Sequence, residues 1–512
     1  MEKDLMIGVD IGTTSTKAVL YDKTGNNLAY ANVGYPLYQE EPDMAEQDPD
    51  EIFDAVLDVL TQVIRRAGDK KDQISGVSFS SAMHSLILMD EHNQPLTRCL
   101  TWADNRAYEW ADKLKNSDKG LALYHRTGVP IHPMSPLCKM LWLKNDWPEL
   151  YEKTAYFIGI KEYIFHKFFG KYVVDISIAS ATGLFNIHTL TWDEEIIQLL
   201  DIEKNQLPQL LNTTDYLENL NTSYFERIGL SDQIPFYIGA SDGCLSNLGV
   251  NAIEEGTMAI TIGTSGAVRM VVDHPVTDPK GRTFCYALTK DLWVIGGPVN
   301  NGGIVFRWVR DQLFAPEKLT AEQMQVDSYE ILTQMAENIP AGSNGLIFHP
   351  FLGGERAPLW NANAKGSFIG LTTTHTRAHM IRAALEGIVF NLYTVSLILE
   401  EIAERPKKIQ ATGGFARSAL WRQLLADIFE QEVVIPKSFE SSCLGAAVLG
   451  MKEQGIIASL NEVEHMIGVT HSHTPQPENF SVYRELLPIY IRTTRLLETE
   501  FSAIADFQRK HS

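Results

Sequence analysis

Val9-Asp10-Ile11-Gly12-Thr13-Thr14-Ser15 and Thr261-Ile262-Gly263-Thr264-Ser265-Gly266 are near-copies of one phrase, set in opposite halves of the chain. Each places glycine and hydroxyl residues between two apolar, alternating runs, 5–10 and 18–21 in the first copy, 258–262 and 267–272 in the second. Alternation at period two predicts strands, so each phrase predicts a β-hairpin. Glycine at such a turn lets the backbone approach an anion closely. The turn N–H groups then face outward, and Ser and Thr hydroxyls add neutral donors. Either phrase alone also reads as an ordinary hairpin, because Gly and Thr are common in turns. Repetition favours two related lobes closing on one nucleotide, and only the first copy contains an Asp.

Working outward, alternating segments at 5–10, 17–21 and 28–34 predict a three-stranded meander. Ile52, Phe53, Val56, Leu57, Leu60 and Val63 share one face of a helix over 49–66, with Asp48 as cap and Pro49 in the first turn. A strand at 76–80 completes β-β-β-α-β, the opening of a ribonuclease-H-like α/β lobe. The order recurs after Gly256: strands at 257–262, 267–272, 284–288 and 293–296, a helix over 303–313, a long helix over 377–404, a strand at 408–412 running into Gly413-Gly414, and a helix over 417–430. One duplicated fold is the simplest reading. The pattern breaks at 249–256, which predicts domains 1–250 and 251–512. Between about 98 and 230 lies an aromatic-rich insertion, expected to build the pocket of a second substrate.

With 512 residues, the chain is too long for one core and fits two domains. Its 45% hydrophobic and 21% charged residues are ordinary for a soluble protein. A net charge of −20 with no run of Lys or Arg argues against nucleic acid. Any anion site must then rest on a few local cations and on backbone dipoles. Cys99, Cys138, Cys244, Cys285 and Cys443 are odd in number and form no Cys-x-x-Cys pair, so neither a disulfide framework nor a zinc site is expected. No apolar signal segment opens the chain and no apolar run reaches membrane length, so a cytoplasmic protein without membrane contact is expected.

Asp242 follows the apolar run 236–240 and precedes Gly243, at the carboxyl end of a predicted strand where open α/β sheets bind ligands. There a carboxylate can orient a hydroxyl and accept its proton during phosphoryl transfer, or simply cap a helix. Asp10, beside a phosphate turn, calls for an intervening Mg²⁺, or pairs with Lys17. Lys17 either leans over phosphates or covers the hairpin.

Two further stretches identify the family. Met134-Ser135-Pro136-Leu137-Cys138-Lys139-Met140-Leu141-Trp142-Leu143 resembles the first signature of the FGGY carbohydrate kinases, departing at Asp146. Gly366-Ser367-Phe368-Ile369-Gly370-Leu371, continuing through His379 and Ala383-Ala384-Leu385-Glu386, resembles the second. The resemblance covers essentially the whole chain. It implies two ribonuclease-H-like lobes of the actin/hexokinase-like ATPase type with a cleft between them, and Asp242 as catalytic base. It implies that Thr13, Thr14, Lys17, Gly263 and Thr264 hold the phosphates of ATP, with Asp10 on Mg²⁺. Gly303, Gly413, Gly414 and Ser418 are implied on the adenosine side.

Substrate contacts are implied at Met83, His84, Trp102, Asp104 and Arg106. No Arg-Glu pair stands at positions 83 and 84, so the pocket is not glycerol-like. Stretches 80–85, 102–106, 158–163, 239–243 and 296–303 are most similar to gluconate-phosphorylating members, which implies transfer to O6 of D-gluconate. The carboxylate of gluconate needs a cation or several donors, for which Arg106, His132, Lys139 and Lys161 are candidates. A xylulose, ribulose or other polyol kinase on the same scaffold, or a non-catalytic nucleotide switch, are the alternatives. A homodimer is left open.

Overall fold

The computed structural model describes residues 3–437 and 440–511. The chain forms two compact units. The first comprises the chain up to Glu254 together with Val271–Ile295 and Glu440–Gly468, and the second comprises the remainder. The first long segment ends inside the break expected at 249–256, but two later stretches expected in the second half return to the first unit. Backbone contact explains the return of 440–468. Helix Ser441–Glu453 lies so close to strand Leu5–Ile11 that a Cβ on Gly8 would stand 2.0 Å from the Cys443 carbonyl oxygen. A Cβ on Gly445 would stand 2.1 Å from that of Leu245.

The first unit is built on a six-stranded sheet in the order Tyr216–Leu217, Phe236–Ser241, Ile74–Ser81, Leu5–Ile11, Ser15–Tyr21, Asn27–Gly34. The central three strands are parallel, and both edges turn antiparallel. Leu5, Ile7, Val9 and Ile11 enter one core and Met6 the other, as period-two geometry requires for a strand buried on both faces. In the second unit the strands Gly266–Val272, Thr257–Ile262, Lys408–Thr412, Val433–Pro436 and Val469–His473 repeat the sequence antiparallel, parallel, parallel, antiparallel. The duplication anticipated from the two Gly-Thr phrases is therefore a duplication of sheet topology.

Helix Pro49–Ala67 forms where its signals predict. Asp48 accepts from the Asp50 N–H, Pro49 occupies the first position, and Arg65 and Arg66 end the helix before Gly68. Ile52, Phe53, Val56, Leu57, Leu60 and Val63 are all buried against the sheet. The helix expected over 303–313 is α only over Gly303–Trp308 and widens into a π turn at Val309–Leu313. Helix Arg377–Ile402 is long and apolar because it is largely buried within the second unit.

Part of the aromatic insertion packs into the core of the first unit. Helix Ile160–Phe169 sends Phe165 and Phe168 onto the sheet, where Phe168 meets Phe53, Phe79, Tyr224 and Phe236. On the same helix Glu162 is buried, and its Oε2 has no hydrogen-bond partner. Burial pushes this carboxyl up from 4.5 to about 7. Between those values the folded chain binds a proton that the unfolded chain has released, so stability falls as pH rises through this window. Glu162→Gln removes the ionisation. Unfolding free energies should therefore shift in favour of the variant by up to about 3 kcal/mol between about pH 5 and pH 8. A constant difference across that range, measured by urea unfolding, would contradict the burial argument.

Candidate active site

In the second unit, strand Lys408–Thr412 runs into Gly413 and Gly414, and Ser418 caps helix Ala419–Phe429 by accepting from the Trp421 N–H. Gly263, Thr264, Gly303, Gly414 and Ser418 line a cavity of about 610 Å³, a volume typical of small-molecule sites. The hairpin turn and the start of helix Gly303–Trp308 are bonded together: Gly303 N–H donates to the Gly263 carbonyl at 2.7 Å, and Ile304 N–H to that of Thr264 at 3.1 Å. Gly413 is absent from the lining. Its φ of 114° places it where a Cβ would stand 2.2 Å from the Ile262 carbonyl oxygen, so it supports the turn from behind. The walls come from residues that no motif had marked. Phe306, Tyr329, Phe415 and Trp421 are aromatic, and Arg307 and Arg417 bring cations. The only signal for Tyr329 is Asp327, which caps helix Ser328–Glu337 and lines the same cavity.

In the first unit, Gly12 N–H donates to the Ser15 carbonyl at 3.1 Å and closes the other turn. Thr13 is held from two sides, its carbonyl by Gln47 Nε2 at 2.6 Å and its hydroxyl by Trp102 Nε1 at 2.8 Å. An indole N–H only donates, so the Thr13 hydroxyl accepts there and directs its own proton elsewhere. Thr14 is exposed at the tip of the turn. Asp10 accepts from the Ser80 hydroxyl at 2.7 Å, and burial pushes its carboxyl up. Lys17 lies opposite Asp10 in the hairpin register, yet its ammonium meets Glu440 at 2.8 Å.

Asp242 opens helix Asp242–Gly249 directly after strand Phe236–Ser241, and its Oδ1 accepts from the Gly243 N–H at 2.7 Å. The cap position itself falls on Ser241, so Asp242 is the first helical residue. The strand end is tightly fixed. Gly239 has φ 69° and sits where the register with strand Ile74–Ser81 shifts. On either side of it, the Ile238 and Ala240 carbonyls accept from Lys161, each at 3.0 Å. Lys161 also pairs with Asp175 at 2.6 Å, and Asp175 caps helix Ile176–Ser180 through the Ile178 N–H. From that helix Ser177 accepts from the Ser241 N–H, and the Ala181 carbonyl accepts from His84 Nδ1 at 2.7 Å. This bond puts a proton on Nδ1.

Three of the expected substrate contacts are engaged by other groups of the protein in this structure. Lys161 is fully buried and all three of its hydrogens are spent, so it does not answer a ligand carboxylate. Asp104 is fully buried too. It accepts from the Ala45 N–H and from Arg106, which leaves it a frame residue rather than a hydroxyl ligand. Arg106 lies between Asp104 and Glu46 and over the Trp142 ring, so its charge is already balanced. His84 is buried with φ 66°, and its Nε2 is 3.5 Å from the Tyr286 hydroxyl. Met83 packs on the neighbouring core. Lys139 is buried and donates to the carbonyls of His84 and Met134, and burial pulls its ammonium down to about 8. His132 Nδ1 accepts from the Met134 N–H.

Residues 5–249 match the N-terminal domain of the FGGY family of carbohydrate kinases, and residues 258–453 match its C-terminal domain. The chain belongs to this family. It is 54% identical over 508 residues to a gluconokinase from Bacillus licheniformis, covering 99% of each chain. A solved gluconate kinase from Lactobacillus acidophilus superposes with a TM-score of 0.92 at 41% identity, covering 98% of this chain and 99% of that one. A ligand-bound xylulose kinase from the same organism matches with the same values. This FGGY kinase therefore has the fold of the actin/hexokinase-like ATPase type.

The two FGGY signatures do structural work. In the first, Ser135 caps helix Pro136–Asp146 and Lys139 reaches back to the His84 carbonyl. In the second, Glu386 is buried and accepts from Arg382, Tyr483, Ser343 and the Gly342 N–H, tying helix Arg377–Ile402 to its neighbours. Trp102→Phe keeps an aromatic side chain, though a smaller one, and removes the donor that orients Thr13. Phosphoryl transfer should fall about fivefold, the equivalent of one hydrogen bond of ~1 kcal/mol. In a cycle with Thr13→Val the two losses should not add, and full additivity of kcat/KM would disprove the coupling.

Proposed function

We propose that this FGGY kinase transfers the γ-phosphoryl group of ATP to O6 of D-gluconate, giving 6-phospho-D-gluconate and ADP. The observation that carries the substrate is the 54% identity to a gluconokinase along the full chain. The chemistry rests on Asp242, a carboxylate held at the end of a strand whose last carbonyls are fixed by Lys161. In this reading Asp242 orients O6 and accepts its proton as the new P–O bond forms, while the old bond to the ADP oxygen breaks. The cavity lined by Gly263, Thr264, Gly303, Gly414 and Ser418 takes the nucleotide. Phe306, Tyr329, Phe415 and Trp421 suit a flat base, and the turn N–H groups and hydroxyls suit phosphate oxygens. Gly413 supports this site from beneath.

Asp10 supplies the fit for Mg²⁺. Its carboxylate is desolvated, and the Lys17 ammonium is bonded to Glu440 rather than to it. Among the described residues no cluster of three or more His, Cys, Asp or Glu could hold a metal. The ion would therefore be held by Asp10, water and phosphate oxygens, as Mg²⁺ prefers. When bound it neutralises phosphate charge. His84, Met83 and Trp102 border the sugar in this reading, with Nε2 of His84 as the ring atom toward a hydroxyl. Of the four cations considered for the gluconate carboxylate, Lys139 is buried with no carboxylate in ion-pair contact among the described residues, and Arg106 and Lys161 are already paired. A cytoplasmic setting suits the five cysteines, all buried free thiols.

Xylulose is the second reading, favoured by the Lactobacillus acidophilus structure described as a xylulose kinase. Release of ADP with gluconate, xylulose, ribulose, fuculose and glycerol in turn decides between them. Gluconate should give the highest kcat/KM, and a preference for a pentulose would reject it. Asp242→Asn should lower kcat by about 10³-fold, the scale of a lost general base, while nucleotide affinity stays within a few fold. Near-normal turnover in that variant would sink the assignment.

A further inference from the structure

We propose that Glu355 is a positioning residue for the second Gly-Thr turn, acting through segment 300–303. The inference rests on the reading that a nucleotide occupies the cavity beside that turn. Glu355 is buried, and no sequence motif had marked it. Its Oε1 accepts from the N–H groups of Asn300 at 2.5 Å and Arg356 at 2.9 Å. Its Oε2 accepts from Asn301 Nδ2 at 2.9 Å and from Asn391 Nδ2, on helix Arg377–Ile402, at 2.8 Å. Asn301 is itself saturated, donating to the Gly354 carbonyl and accepting from the Gly353 N–H. One carboxylate thus gathers segment 300–301, its own loop and a core helix.

The segment so fixed leads directly into the turn. A Cβ on Gly302 would stand 2.6 Å from the Ser265 carbonyl oxygen, and one on Gly303 would stand 2.7 Å from that of Gly263. Backbone therefore lies on backbone, with the hydrogen bonds from Gly303 and Ile304 to Gly263 and Thr264 closing the contact. Displacing segment 300–303 moves Gly263, Thr264 and Gly303 together, and all three line the cavity. Among side chains only an ionised carboxylate offers four acceptor positions in this geometry. Burial pushes its carboxyl up to about 7, so its four donors oppose a real desolvation cost. A glutamine of the same size turns an NH₂ group toward groups that themselves donate.

The test compares Glu355→Gln, Glu355→Asp and Asn391→Ala in the full chain. It reads ADP affinity by calorimetry, KM for ATP and for gluconate, and Tm. Glu355→Gln should weaken ADP binding and raise KM for ATP at least about tenfold, with KM for gluconate within about twofold. Glu355→Asp should recover part of the loss, and Asn391→Ala should shift the same constants in the same direction by less. A folded Glu355→Gln protein with unchanged ADP affinity overturns the proposal, as does an equal rise in both KM values. If Glu355→Gln does not fold, unchanged ADP affinity in the other two variants overturns it. Failure of the wild-type protein to bind ADP would instead reject the nucleotide reading, and ADP binding without gluconate turnover would reject only the substrate.

Discussion

The buried ion pair between Lys161 and Asp175 is the constraint on which the first unit's chemistry depends. Two charges removed from water are costly unless they meet each other and saturate their remaining hydrogen-bonding capacity. Here both conditions hold. The ammonium spends its hydrogens on Asp175 and on the carbonyls of Ile238 and Ala240, and the other carboxylate oxygen caps helix Ile176–Ser180. Those carbonyls flank Gly239, whose positive φ breaks the strand register just before Asp242. The capped helix returns to Ser241 through Ser177 and to His84 through the Ala181 carbonyl. The candidate base and the candidate sugar contact are thus referenced to one pair of charges. Losing either charge would strand the other, at a cost of about 3–5 kcal/mol.

Duplication explains why the two units solve related problems with different chemistry. In each, a parallel strand beside the hairpin ends in a loop at the same topological position. Ile74–Ser81 leads to Ala82, Met83 and His84, and Lys408–Thr412 leads to Gly413 and Gly414. Side chains dominate the first loop and bare backbone the second. That contrast suits a ligand read by its hydroxyls in one case and a flat ring against backbone in the other.

The hairpins, the capped helix Pro49–Ala67, strand Lys408–Thr412 and the placement of Asp242 at a strand end were all legible in the sequence, because each depends on neighbours within a few residues. What escaped it was long-range. Lys161, Asp104 and Arg106 have the right types for a substrate pocket, but sequence does not reveal that each is already answered by another charge. The return of helix Ser441–Glu453 to the first unit depends on backbone approach at Gly8 and Gly445, invisible to periodicity. The aromatic walls at Phe306, Tyr329, Phe415 and Trp421 come from three separate segments, and none of the four residues is itself a marked position of a motif. Glu355 escaped for the same reason: its partners lie at 300, 301, 356 and 391.

Charge bookkeeping across the site gives the arrangement its logic. The chain carries a net charge of −20, so an anionic nucleotide and an anionic sugar acid both approach against the mean field. Most cations near the functional motifs are nevertheless spent internally, Lys17 on Glu440, Arg106 on Asp104 and Glu46, and Lys161 on Asp175. Among the described residues, Arg307 and Arg417 are the cations that line the candidate nucleotide cavity. In the proposed reading, phosphate recognition then falls chiefly on turn N–H groups and hydroxyls, whose strength depends on geometry rather than on net charge. Such donors act only if the turn cannot relax. Polar side chains stand behind each turn, half-buried Trp102 and buried Gln47 for the first and, as proposed above, the Glu355 cluster for the second. Neutral donors on a rigid turn hold an anion firmly without the deep attraction of paired cations, and a kinase that must release ADP after every transfer gains from that restraint.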